Sequence, residues 1–180
     1  MNLEEYLNKI DKIINKILIR KNKEIITFDL LDTNKTIQLK RELLKEKQKQ
    51  MKIGEIWQEV IGNYNGYINL KSGHKSGLDI ISIDKKIIIE LKNRTNTDNY
   101  SSRKTNFDKL AKFKKENPEF ICIYANINEK TEKATLEGNH KIIIHNNVEI
   151  HIYTGLKFLN LIFDDKLDII LEYLKVKLNQ

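Results

Sequence analysis

The fold is decided by the stretch Gly77-Leu-Asp-Ile-Ile-Ser-Ile-Asp-Lys-Lys-Ile-Ile-Ile-Glu-Leu-Lys92. Two isoleucine-rich segments flank the pair Asp84-Lys85, which predicts two antiparallel strands joined by a two-residue turn. That turn places Asp79 opposite Glu90, and directly opposed side chains have Cβ atoms about 4.5–5.5 Å apart. Lys92 follows Glu90 by two residues and therefore points to the same face. The stretch predicts that two carboxylates and one ammonium group meet at one point of a sheet.

Two opposed carboxylates repel each other and destabilise a hairpin unless a divalent cation lies between them. Mg²⁺ prefers one or two carboxylates together with water and phosphate oxygens. We therefore expect Asp79 and Glu90 to bind Mg²⁺ in a site that hydrolyses phosphodiesters. A purely structural alternative is that Asp79 caps a strand and Glu90 pairs with Lys92 at the surface. Such an exposed ion pair contributes only about 0–1 kcal/mol, which is a weak reason to interrupt an isoleucine-rich strand.

The composition is that of a single globular domain. The chain has 180 residues, of which 40% are apolar and 32% charged, and a chain of this length can bury a core. It has no run of 18 apolar residues, and its first residues lack the pattern of a signal peptide, so we expect no membrane segment. One cysteine excludes an internal disulfide and is consistent with a reducing cytoplasm, where we expect the protein.

The net charge of +7 is unevenly distributed. Residues 93–117, directly after the predicted site, hold seven basic and three acidic residues. A polyanion that binds there would gain affinity from the release of its counterions. A lysine-rich surface also keeps proteins soluble, so charge alone leaves nucleic-acid binding open.

Apolar periodicity predicts the remaining elements. Helices are expected over residues 3–20, 36–50, 51–62, from Ser101 or Ser102 to about 117, 156–163 and 166–178. Further strands are expected over residues 67–70, 119–126, 140–145 and 148–153. Residues 24–32 fit either a strand or a short helix, and residues 93–102 and 128–139 are expected to be polar loops. This order predicts an α/β domain with a mixed sheet.

The hairpin and its surroundings resemble a known superfamily. A helix, then Gly-Leu-Asp79, a gap of ten residues and Glu90-Leu-Lys92 resemble the PD-(D/E)XK nucleases. The stretch Glu90–Thr105 resembles the type II restriction endonucleases in which Glu-Leu-Lys-Asn precedes an Asn/Ser-rich loop and a Lys-Thr helix start. The resemblance covers residues 51–126. Leu78 stands where the family usually has proline, and this departure leaves the following carboxylate in place.

The resemblance implies a fold, a division of the chain and an activity. The implied fold is α/β, a restriction-endonuclease-like core (αβββαβ) with a central mixed β-sheet flanked by helices. The nuclease core would span residues 51–180, and residues 1–50 would form an N-terminal helical segment packed on it, within one globular domain. The activity would be that of a Mg²⁺-dependent type II site-specific deoxyribonuclease, an endonuclease that acts on double-stranded DNA.

The resemblance also assigns roles at the site. Asp79 and Glu90 would be metal ligands, and the carbonyl group of Leu91 could be a further one. Lys92 would orient the attacking water and stabilise charge on the phosphorane, or would accept the proton of the water; both roles stay open.

A further carboxylate often lies on the preceding helix in this superfamily, where it ligates the metal directly or through water. Glu55 and Glu59 are four residues apart and share one face of that helix, and we favour Glu55 as the additional catalytic residue. A helix surface that faces solvent explains both residues almost as well.

Five residues around the site are expected to contact DNA: Lys75, Arg94, Asn96, Arg103 and Lys104. Arginine suits guanine and asparagine suits adenine in the major groove. A polar loop without DNA contacts explains Arg94, Asn96, Arg103 and Lys104 equally well, and a plain turn explains Lys75 better than a phosphate contact does. Because cutting of a palindrome needs two sites related by a two-fold axis, a homodimer is expected. A repair, recombination or mobile-element nuclease of the same fold, and a DNA-binding module without activity, remain as alternatives.

Overall fold

The computed structural model describes residues 2–20, 30, 32–94 and 99–179. Its strands are β1 (Ile68–Asn69), β2 (Ile80–Ser82), β3 (Ile87–Arg94), β4 (Ile121–Asn128), β5 (Asn139–His145) and β6 (Val148–Thr154). Its helices are α1 (Leu3–Ile19), α2 (Asn34–Gly62), α3 (Tyr100–Glu116), α4 (Glu132–Glu137), α5 (Gly155–Phe163) and α6 (Leu167–Leu178). A 3₁₀ turn (Asp164–Lys166) joins the last two helices.

The strands form one mixed sheet in the order β1-β2-β3-β4-β6-β5. The pairs β3–β4 and β4–β6 are parallel, and the other three pairs are antiparallel. The order α2-β1-β2-β3-α3-β4 is the predicted αβββαβ succession. The predicted fold class is therefore confirmed.

The predicted hairpin has the predicted register. Ser82 pairs with Ile87 and Ile80 with Ile89, and the backbone N–H of Lys86 donates to the carbonyl of Ile83 across the turn at 3.2 Å. β3 is a central strand of the sheet, and apolar residues cover it on both faces. Continuing this register by one residue beyond Ile80 places Asp79 opposite Glu90.

Apolar residues alternate between two cores on the two faces of the sheet. Ile89 and Leu91 pack with α1, α2, α5 and α6, whereas Ile88 packs with Leu110 of α3 on the opposite face. Because side chains alternate along a strand, Glu90 and Lys92 lie on the same face as Ile88. The α3 side of the sheet therefore carries the charged residues of β3.

The N-terminal helix belongs to the larger of these two cores. Tyr6, Ile10, Ile14 and Ile17 of α1 are buried in it, and the Tyr6 hydroxyl donates to the carbonyl of Val60 at 2.7 Å. α2 runs without a break through residue 50, where we had divided the N-terminal segment from the core. None of the described helices is long and apolar enough to cross a bilayer.

Two details of the prediction were wrong. The cap of α3 is Asn99, whose side chain accepts from the N–H of Ser102 at 2.8 Å; neither Ser101 nor Ser102 is the cap, because both lie inside the helix. Residues 132–137 form α4, where we predicted only a loop. The helix is too short to show apolar periodicity, and it is capped by the side chain of Thr131. The predicted element at residues 24–32 lies outside the described residues, apart from Leu30 and Asp32.

Candidate active site

The structure brings Asp79, Glu90 and Lys92 together where β2 begins. The backbone N–H of Asp79 donates to the carbonyl of Ile89 at 3.1 Å, and the backbone N–H of Leu91 donates to Oδ2 of Asp79 at 2.7 Å. Asp79 is thus hydrogen-bonded to the residues of β3 directly before and directly after Glu90. The site is built by the hairpin itself, since all of these bonds join residues of one short stretch.

Asp79 has a second partner from another element. Nε2 of Gln58, on α2, donates to Oδ1 of Asp79 at 3.0 Å. Burial raises the pKa of the Asp79 carboxyl, while the N–H of Leu91 and the charges of Lys92 and Lys109 act in the opposite direction. The site therefore holds Asp79 in a fixed position but disfavours its negative charge.

Glu90 is only 3% exposed and is incompletely paired. Its Oε1 accepts from Nζ of Lys92 at 2.5 Å, whereas its Oε2 is buried and has no hydrogen-bond partner among the described residues. Burial and then the charge of Asp79 raise the pKa of the Glu90 carboxyl. A buried carboxylate oxygen without a partner is costly, so this atom is suited to bind a cation.

The donor set fits Mg²⁺ better than a transition metal. Among the described residues no group of three or more His, Cys, Asp or Glu side chains could hold a metal ion. Mg²⁺ needs only one or two carboxylates, because water and substrate phosphate complete its octahedron. Asp79 and Glu90 provide such a pair of oxygen donors.

The two glutamates considered on α2 have other partners. Both carboxylate oxygens of Glu55 accept from the guanidinium of Arg20, at 3.1 and 2.6 Å, and Glu59 is bound to Lys71 and Asn63. A catalytic role for Glu55 stays a prediction. We had not singled out Gln58, although it lies three residues after Glu55 and such neighbours share a helix face.

A comparison with protein families now identifies the chain. The family model described as Eco47II restriction endonuclease matches residues 2–173. The chain belongs to the Eco47II restriction endonuclease family. This confirms the predicted relation to restriction endonucleases and the enzyme class, a type II site-specific deoxyribonuclease. A search of curated proteins gave no match.

Membership in the Eco47II restriction endonuclease family implies double-stranded DNA as the substrate, and basic residues lie close to the carboxylates. Lys75 is exposed and lines a cavity of about 810 Å³ together with Lys109 and Lys112 of α3. Nζ of Lys109 donates to the carbonyl of Gly77 at 3.2 Å, and its charge offsets part of the rise in pKa that burial causes at both Asp79 and Glu90. We had not assigned Lys109 to the site, because only the packing of α3 on the hairpin brings it there.

The other residues predicted to contact DNA are spread around the ends of β3 and α3. Arg94 lines a cavity of about 370 Å³ at the end of β3. Arg103 lines a cavity of about 450 Å³ beside β4, and Lys104 is exposed on α3. Asn96 lies outside the described residues. DNA contacts by these residues stay predictions.

Proposed function

We propose that the chain is a Mg²⁺-dependent restriction endonuclease that hydrolyses phosphodiester bonds of double-stranded DNA at a short specific sequence. The observation that carries this proposal is Oε2 of Glu90, which is buried beside Asp79 and has no hydrogen-bond partner among the described residues. Asp79 is a second carboxyl whose pKa, like that of Glu90, is raised by burial. Two such carboxyls within one hairpin destabilise the protein without a cation. A bound cation removes this cost, which supports a metal-dependent reaction.

The proposed metal ligands are Oε2 of Glu90, Oδ1 of Asp79 and the carbonyl oxygen of Leu91. When bound, Mg²⁺ would polarise the scissile phosphate and lower the pKa of a water molecule. The protein contributes the orientation of the ligands, because the N–H of Leu91 fixes Oδ2 of Asp79. Gln58 bonds Oδ1 and would have to share this atom with the ion.

Lys92 is the proposed partner of the attacking water. Its ammonium group lies at Glu90 Oε1, and its side chain is 25% exposed, so it can be reached by a substrate. An ammonium group at this place stabilises the negative charge that develops on the phosphorane. The same group can hold the water by a hydrogen bond, since an ammonium has three N–H donors.

The basic cavity next to the carboxylates is the proposed site for the DNA backbone. Lys75, Lys109 and Lys112 line it, and lysine binds phosphate as a point charge. Arg94, Asn96, Arg103 and Lys104 are the proposed further contacts, and the two arginines suit guanine. The proposed active form is a homodimer, because a palindrome presents two equivalent strands to two equivalent sites. Sedimentation with and without DNA tests this: a single species at the monomer mass in both cases contradicts it.

The function is tested with unmethylated plasmid DNA. We expect discrete fragments in the presence of Mg²⁺ and none with EDTA. Lys92→Ala should lose cleavage by a factor of at least about 100 and retain DNA binding. The control is Lys133→Ala, because the side chain of Lys133 is 83% exposed; this variant should cut like the wild type. Cleavage by Lys92→Ala at the wild-type rate, or cleavage of branched DNA alone, contradicts the proposal.

A further inference from the structure

Two buried side-chain oxygens of the described residues have no hydrogen-bond partner, and both flank Lys92. One is Oε2 of Glu90, and the other is Oδ1 of Asn126 on β4. Asn126 is the direct neighbour of Lys92 in the parallel pair β3–β4. Because paired residues point to the same face, the amide of Asn126 lies beside the lysine on the α3 side of the sheet. Asn126 is only 4% exposed.

Oδ1 of Asn126 has no donor among the described residues around it. Ala125 and Ile127, before and after it, are buried in the apolar core on the other face. On its own face Asn126 lies between Lys92 of β3 and Thr154 of β6, and the cavity that it lines with Tyr124 and Ile152 also contains Arg103. A buried acceptor that has no donor destabilises a protein, and an apolar side chain of similar size would avoid this cost. This cost would be removed if a donor reached the oxygen when substrate and ion are bound.

We propose that Asn126 is a positioning residue that holds the Lys92 ammonium group during the reaction. The inference rests on the proposed function, in which the carboxylate of Glu90 binds the ion and becomes a weaker acceptor for Nζ. Neighbouring strands lie about 4.8 Å apart, so the flexible side chain of Lys92 can turn from Glu90 to Oδ1 of Asn126. The amide then keeps Nζ next to the attacking water.

Asn126 can hold Lys92 whether the lysine stabilises the phosphorane or accepts the proton of the water. A charged ammonium group has three N–H donors, and a neutral amine keeps two, so Nζ can bond Oδ1 of Asn126 in both states and still face the water. The amide is neutral and therefore does not compete with Glu90 for the ion as strongly as a third carboxylate would. Asn126 thus acts through Lys92 and not on the phosphate.

The test compares Asn126→Val with Asn126→Thr, because these side chains have the same shape and only threonine keeps an oxygen acceptor. We expect the single-turnover cleavage rate of Asn126→Val to fall about 10- to 100-fold, which is the loss of one hydrogen bond to a charged group. Asn126→Thr should recover a large part of this rate. DNA affinity, measured with Ca²⁺ in place of Mg²⁺, should be the same for both variants and the wild type.

Thermal unfolding of the metal-free protein separates this role from a structural one. Because Oδ1 has no partner to lose, Asn126→Val should be at least as stable as Asn126→Thr. A lower midpoint for the valine variant, a loss of DNA affinity in place of rate, or wild-type cleavage by Asn126→Val each overturns the inference. A wild-type protein that cuts no DNA with Mg²⁺ overturns the proposed function as well, whereas an active Asn126→Val overturns the inference alone.

Discussion

Addition of MgCl₂ should stabilise the protein against heat in the absence of DNA, and Glu90→Gln should abolish the effect. In the proposed site the cation would bind the folded protein through the paired carboxylates of Asp79 and Glu90, whereas the unfolded chain has no such pair. Binding to the folded state alone adds RT ln(1 + [L]/Kd) to the free energy of unfolding, which is about 1.4 kcal/mol at a concentration about tenfold above Kd.

The size of the shift follows from the length of the chain. With an unfolding entropy of about 2.1 cal/mol/K per residue, 180 residues give about 0.4 kcal/mol/K. A gain of about 1.4 kcal/mol therefore raises the unfolding midpoint by about 4 °C. Glu90→Gln keeps the size of the side chain and an acceptor for Lys92, so its fold should persist while the shift is lost. Glu172→Gln, at an exposed position of α6, is the matched control and should keep the full shift.

The same shift should grow as the pH rises. Burial raises the pKa of Asp79 from 3.8 and that of Glu90 from 4.5. Between these ordinary values and the raised values, the folded metal-free protein binds more protons than the unfolded chain, so its stability falls as the pH rises through that window. Cation binding requires both carboxylates to be ionised, and protons compete with it at low pH.

Differential scanning fluorimetry at about pH 5, close to the ordinary pKa values, and at about pH 8 measures both effects. The rise in the unfolding midpoint caused by MgCl₂ should be larger at the higher pH. An equal gain in Glu90→Gln and in the wild type would refute the assignment of the cation to this carboxylate pair. A gain that shrinks with rising pH would refute the role assigned to the raised pKa values.

Three further comparisons test the surroundings of the site and the packing of α2. Gln58→Ala should slow cleavage more than Glu55→Gln in a steady-state assay, because Gln58 donates a hydrogen bond to Asp79 while Glu55 is paired with an arginine; the reverse order would support Glu55 as the additional catalytic residue. Lys75→Ala should lower the slope of log affinity against log salt by about 1, if this lysine neutralises one phosphate; an unchanged slope places it outside the DNA interface. Gly62→Ala should lower the free energy of unfolding by about 1–3 kcal/mol, since its Cβ would lie 2.5 Å from backbone of β1. Gly54→Ala, whose Cβ meets no described residue closer than 3.9 Å, should raise the free energy of unfolding by up to about 1 kcal/mol, and denaturant unfolding of both variants measures the contrast.

The central hairpin could be predicted from sequence because its determinants are local. A two-residue turn at Asp84-Lys85 leaves one register in which the isoleucines of both strands alternate correctly, and a slip by one residue would reverse every side chain. Once the register was set, the meeting of Asp79, Glu90 and Lys92 followed from the period of two residues. The enzyme class followed from the motif that these residues form with the helix before them.

Less of the surroundings could be predicted, because they depend on distant elements. Glu55 and Gln58 are equivalent in a helix pattern. Only the packing of α1 on α2 gives Arg20 to the glutamate, and only the packing of α2 on the hairpin gives Asp79 to the glutamine. Lys109 reaches the site because α3 packs on the hairpin. The short helix α4 could not be predicted, because its six residues show no apolar periodicity.

By itself the sequence determined the chemistry at the centre of the site, because two carboxylates and an amine within one hairpin are placed by backbone geometry alone. The tertiary structure decided how each of these groups is paired. The parallel alignment of β3 with β4 brings Asn126 beside Lys92, and the packing on that face leaves an oxygen of Asn126 and one of Glu90 buried without a partner among the residues that the structure describes. Whether a polar oxygen is left without a hydrogen bond depends on which residues exclude water from the site. These residues come from elements far apart in the chain.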